Sequence, residues 1–123
     1  MESVQIAVVD DESPVRTALR RLLCLADFKV SEFASGEAFL VSLDVQRPAC
    51  VVLDVHMPGM SGFDVCARMR AANVDVRPVF ITASDDRDLD QQAAQNGGRL
   101  LRKPFSGDEL LHAIDVALRS PCC

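Results

Sequence analysis

Four short apolar runs in this chain each lead to a residue that can do chemistry. Val4 to Val9 (VQIAVV) ends on Asp10-Asp11-Glu12, and Cys50 to Leu53 ends on Asp54. Pro78 to Ile81 ends on Thr82, and Leu100-Leu101 leads through Arg102 to Lys103. Carboxylates brought together repel one another and resist desolvation. A hard divalent cation with oxygen ligands offsets both effects. Magnesium suits a site with few carboxylates, because it keeps several waters and takes further ligands from a phosphoryl group. Lys103 adds a fixed positive charge and Thr82 a hydroxyl donor. Asp54 would then be a carboxylate nucleophile, with a metal and a cation to stabilise phosphoryl transfer onto it.

That chemistry requires a fold that brings the ends of these runs together. The runs alternate with helical patterns along the whole chain. Ser13-Pro14 opens the first helix, with Ser13 expected as N-cap and Val15, Ala18, Leu19, Leu22 and Leu23 on its apolar face. Val30 and Phe33 mark a second strand, and Ser35 caps a short helix carrying Phe39, Leu40 and Leu43. Met57 to Gly62 is a loop by its Pro and Gly content, and Phe63, Val65, Cys66 and Met69 populate the next helix. Residues 86 to 96 form a polar helix stopped by Asn96-Gly97-Gly98. Ser106 and Glu109 make a capping box for a last helix that buries Leu110, Leu111, Ile114 and Leu118.

The pattern is (βα)₅. Alternating units with apolar strands imply a parallel sheet covered by helices on both faces, a flavodoxin-like doubly wound α/β fold of strand order 2-1-3-4-5. In such sheets the site lies beyond the carboxyl ends of the strands, where strands one and three diverge. Asp10, Asp11, Asp54, Thr82 and Lys103 all fall there. Taken singly, each has a blander reading as loop charge, turn residue or surface lysine. Their arrival together on separate strand ends is what favours a site.

With 123 residues the chain is expected to form one domain, residues 1–123. No apolar run reaches the ~18 residues of a membrane span, and no signal-peptide pattern opens the sequence. The net charge of −5 disfavours direct nucleic-acid binding, which needs clustered Lys and Arg. None of the five cysteines has zinc-type spacing, so they are expected as buried small hydrophobes in a reducing cytoplasm. Cys122 and Cys123 form an adjacent pair with no expected function. Asp85, Asp86 and Asp88 read as solvated loop charge, and His56 and His112 as exposed side chains. Met57 and Met60 are expected to pack locally.

The chain resembles the receiver domains of two-component response regulators over essentially its whole length. The resemblance is carried by VVDDE (Val8 to Glu12), VVLDVHMPGMSGFD (Val51 to Asp64), FITA (Phe80 to Ala83) and KPF (Lys103 to Phe105). In style it is closest to FixJ/NarL-type receivers. The resemblance implies that Asp54 is the phosphoacceptor. It implies Asp11 as a direct Mg2+ ligand, Asp10 as one directly or through water, Asp54 itself, and the backbone carbonyl of His56. Thr82 would move toward the phosphoryl group and Lys103 would contact it. The implied partner is a histidine kinase or histidine phosphotransfer protein. Helix 4, strand 5 and helix 5 would form a partner or phosphorylation-dependent homodimer face. Such a protein is cytoplasmic and not an enzyme beyond its own phosphorylation and dephosphorylation.

Two positions depart from the family pattern. Leu100 stands where the family usually has an aromatic residue, three positions before the lysine. Gly97-Gly98 replaces a Gly-Ala pair and is expected to loosen the turn. Two other classes compete. A haloacid-dehalogenase-like phosphatase would need a second Asp where His56 stands. A flavodoxin would need a phosphate loop where Asp10-Asp11-Glu12 would repel the ligand.

Overall fold

Alternation decides where each strand residue goes, because successive side chains of a strand point to opposite faces. The computed structural model describes residues 3–119. Its five strands are β1 (Gln5–Val9), β2 (Lys29–Phe33), β3 (Cys50–Asp54), β4 (Arg77–Thr82) and β5 (Arg99–Arg102). They form one parallel sheet in the order β2-β1-β3-β4-β5. Ala7, Val9, Val51, Leu53 and Phe80 face one layer, and Ile6, Val8, Val52, Val79 and Ile81 face the other. Strand β3 is buried throughout, which explains its unbroken apolar run.

Helices α2 (Gly36–Ser42), α3 (Gly62–Ala71) and α4 (Asp88–Gln95) cover the first layer with Phe39, Val65, Cys66, Met69, Leu89 and Ala93. Helices α1 (Ser13–Leu25) and α5 (Gly107–Arg119) cover the second with Leu19, Leu23, Leu110, Ala113 and Ile114. No described helix is long and apolar enough to cross a membrane.

The helix starts test the sequence reading closely. Ser35 accepts from the Ala38 N–H, and Ser61 forms a capping box with Asp64. Ser106 and Glu109 bond reciprocally, as expected. Ser13 does not cap α1; the N-cap is Glu12, in extended backbone, with no side-chain cap. The reason lies one step earlier. Asp10 Oδ1 accepts the Glu12 N–H at 2.9 Å, so the chain enters the helix through the Asp10 side chain and Ser13 is already helical.

Four smaller expectations are corrected. Helix α4 covers 88–95 rather than 86–96. In α5 the buried set is Leu110, Ala113 and Ile114, with Leu111 and Leu118 half-buried. Cys50 and Cys66 are buried, and burial pushes both thiols up to about 12, but Cys24 is exposed on α1. The Gly97-Gly98 turn is not loose. Gly97 takes a positive φ of 76°, and a Cβ on Gly98 would lie 2.8 Å from both the Phe80 ring and the Pro78 carbonyl oxygen. Gly98 therefore lets the Phe80 ring close down on the turn. Cys122 and Cys123 lie outside the described residues.

Candidate functional site

The parallel register puts the ends of β1, β3, β4 and β5 at one edge, and the expected residues follow them. Asp10 directly follows β1 and is fully buried. Asp54 ends β3 with 4% exposure, and Thr82 ends β4 fully buried. Lys103 follows β5, its N–H donating to the Thr82 carbonyl at 2.7 Å. The Lys103–Pro104 peptide is cis.

Asp10 organises this edge. Lys103 Nζ donates to Asp10 Oδ2 at 3.2 Å, while Arg16 donates to the Asp10 carbonyl at 2.6 Å. A buried carboxylate needs partners such as Lys103 and the Glu12 N–H, since an unpaired one would be neutralised by protonation. Asp54 is less well compensated. Burial, followed by the charge of Asp10, pushes its pKa up to about 7. Lys103 and a hydrogen bond from the His56 backbone pull the other way, and Asp11 adds a further upward push. Asp54 is thus a carboxyl group that a nearby cation would ionise.

Carboxylate oxygens of Asp10, Asp11 and Glu12 lie within 4.8 Å of one another, with Asp10 buried and the other two exposed. This donor set can hold a metal ion. It consists of hard oxygen atoms alone, which fits magnesium and not a thiolate- or imidazole-seeking ion. Glu12 belongs to this group and was not singled out from the sequence, although its place in the acidic run was the available signal.

His56 is exposed, as expected, but it also reaches the site. Its Nδ1 lies 3.4 Å from Thr82 Oγ1. Thr82 Oγ1 accepts the Ser84 N–H at 3.1 Å, so its own proton is free to point elsewhere. Met57 and Met60 pack against the α2/α3 layer. The start of α3 comes very close to Asp54: a Cβ on Gly62 would lie 2.7 Å from the Asp54 carbonyl oxygen.

Sequence reasoning also missed Arg102. Its Nε donates to the Ser84 carbonyl at 3.2 Å and its Nη2 to the Asp86 carbonyl at 2.7 Å. It pairs with both carboxylate oxygens of Asp90, at 3.0 and 2.9 Å. Asp85, Asp86 and Asp88 are exposed, as expected, and the carboxylate that meets the guanidinium is that of Asp90, further along the same acidic stretch.

A doubly wound sheet with a buried aspartate at the end of β3, a lysine beyond β5 and an acidic cluster beyond β1 defines the phosphoryl-signalling receivers. The response regulator receiver domain family matches residues 6–115, and the chain belongs to it. It is 36% identical over 115 residues to the transcriptional regulatory protein FixJ of Bradyrhizobium diazoefficiens, covering 93% of this chain and 56% of that protein. Among solved structures it is similar to FixJ-N, with a TM-score of 0.89 and 29% identity over 100% of this chain and 99% of that one. A response regulator receiver protein from Burkholderia phymatum gives a TM-score of 0.83 and 38% identity over 94% and 95% of the two chains. The FixJ-type likeness read from the motifs is therefore found. The chain spans about half the length of the curated relatives it matches. These relatives are response regulators, which sets aside the phosphatase and flavodoxin alternatives.

Proposed function

We propose that this chain is a single receiver domain that accepts a phosphoryl group on Asp54 from a phosphohistidine of a kinase or phosphotransfer protein. The observation that carries the reading is Asp54 itself. It is a nearly buried carboxyl, raised to about 7, at a strand end shared with Asp10 and Lys103. In the transfer, an Asp54 carboxylate oxygen attacks phosphorus and the P–N bond to the donor imidazole breaks. The electron pair leaves with the imidazole, which takes up a proton. Lys103 Nζ would exchange its bond to Asp10 for the transferred oxygens, and the Thr82 hydroxyl would turn from His56 toward them.

Asp10, Asp11, Asp54 and the His56 carbonyl would hold Mg2+, with Glu12 close enough to act through water. When bound, the ion supplies positive charge that ionises Asp54 and offsets the charge of the phosphoryl oxygens. An apolar groove of about 380 Å³, lined by Val15, Leu19, Leu22 and Phe105 and reaching Lys103, supports a protein donor. The α4, β5 and α5 face would carry the output, including a phosphorylation-dependent homodimer, in the cytoplasm.

Acetyl phosphate with magnesium tests the assignment. Intact mass should show one added phosphoryl group on wild type and none on Asp54→Asn. Equal labelling of the variant would remove Asp54 from the role.

A further inference from the structure

We propose that Arg102 is a positioning residue for Thr82, acting as a brake on the switch, so that this chain responds to phosphorylation by opening a guanidinium clasp. The inference rests on Asp54 being the phosphoacceptor. Arg102, the last residue of β5, reaches across to three points: Ser84 and Asp86 in the loop between β4 and α4, and Asp90 in the first turn of α4. Ser84 in turn donates its N–H to Thr82 Oγ1. The backbone of Ser84 therefore connects the guanidinium, bonded to its carbonyl, to the hydroxyl that would answer a phosphoryl group, bonded to its N–H.

The rest of this segment has few anchors. Helix α4 lacks a side-chain N-cap and buries only Leu89 and Ala93. Four aspartates and one arginine stand between 85 and 90, and Asp85 and Asp86 add to the hold on the Arg102 charge. A phosphoryl group brings about −1.5 to −2 charges to the neighbouring strand ends. It would repel this acidic loop while drawing the Thr82 hydroxyl away from Ser84. Arg102 opposes both movements. An exposed ion pair alone would be weak. The strength here lies in the planar fork, which serves a bidentate carboxylate and two carbonyls at once. Lysine cannot reproduce that with one ammonium. Leu100, two residues earlier on β5, offers no aromatic ring to couple to Thr82, and the clasp supplies a side-chain link from β5 to the loop in addition to the backbone pairing of β4 with β5.

Beryllofluoride with magnesium, imitating the phosphoryl group on Asp54, tests this by titration calorimetry on the whole chain. If the resting clasp is a brake, Arg102→Ala should bind beryllofluoride about 5- to 10-fold more tightly than wild type. Arg102→Lys should show most of that gain, and Asp90→Asn about a twofold gain. Amide exchange in residues 83–90 of the free protein should rise in Arg102→Ala and stay unchanged in β1 and β3. A residue with a merely structural role would lower the melting temperature without tightening the complex. Variants with unchanged or weaker affinity would overturn the brake, as would an Arg102→Lys protein indistinguishable from wild type. Wild type that binds no beryllofluoride would sink the phosphoacceptor reading, and the brake with it.

Discussion

The β1/β3 corner and the β4–α4–β5 quarter meet at the same edge of the sheet but are built differently. At the corner, Asp10 directly follows β1 and Asp54 ends β3, both are buried together with the apolar residues that lead to them, and α3 begins with a capping box close to the Asp54 backbone. In the other quarter, α4 has no side-chain cap and two buried residues, and β5 has none. Its loop is held by one arginine side chain and by hydrogen bonds between near neighbours in the chain. The contrast separates two demands. Carboxylates that must meet a metal and a phosphoryl group need fixed positions, since small displacements spoil the geometry. A segment that must report the event needs low local stability, so that a modest change in interaction energy moves it.

Large-to-small substitutions should expose this difference most strongly. Phe39, fully buried and edge-on to Phe33 under the first half of the sheet, should cost about 3–5 kcal/mol as Phe39→Ala and lower the cooperative denaturant midpoint. Leu89→Ala in α4 should cost about 2 kcal/mol, the low end for such a change, and raise exchange in α4 before the rest of the domain. Equal and global losses would break the comparison.

Gly98→Ala comes next. Its Cβ would press on the Phe80 ring and the Pro78 carbonyl, so overpacking should cost about 1–3 kcal/mol. A neutral result would mean that the turn before β5 is loose after all. A smaller effect, about 1 kcal/mol, is expected from Ser61→Ala, which removes the cap of α3.

The pH dependence sharpens the account of the corner. Asp54 has a folded pKa of about 7, above its ordinary 3.8. A group raised in this way contributes its full stability below the unfolded value, and that contribution is lost as pH rises through the folded one. Stability in the presence of a chelator should therefore fall between about pH 4 and about pH 7. Asp54→Asn should flatten that part of the curve. Magnesium should restore the loss in wild type by mass action, and Asp11→Ala should remove most of the restoration. Parallel pH profiles for wild type and Asp54→Asn would show that Asp54 is not the strained group.

The sequence by itself determined the order of strands and helices, because apolar period and turn residues are local signals. It also determined that Asp10, Asp54, Thr82 and Lys103 share one edge, because a parallel sheet places every strand's carboxyl end on the same side. Burial on both sides explains why β3 was legible as one unbroken run. Hydrogen bonds between side chains distant in sequence were decided only by the tertiary structure. Asp10, rather than Ser13, sets the entry to α1 because its carboxylate is oriented by Lys103, 93 positions away. Gly98 looked permissive, and became a close-packed position only when the Phe80 ring of the neighbouring strand lay over it. No local signal in the sequence marks out Arg102. Its partners at Ser84, Asp86 and Asp90 come from another strand's loop and helix, and the pairing of β4 with β5 brings them within reach.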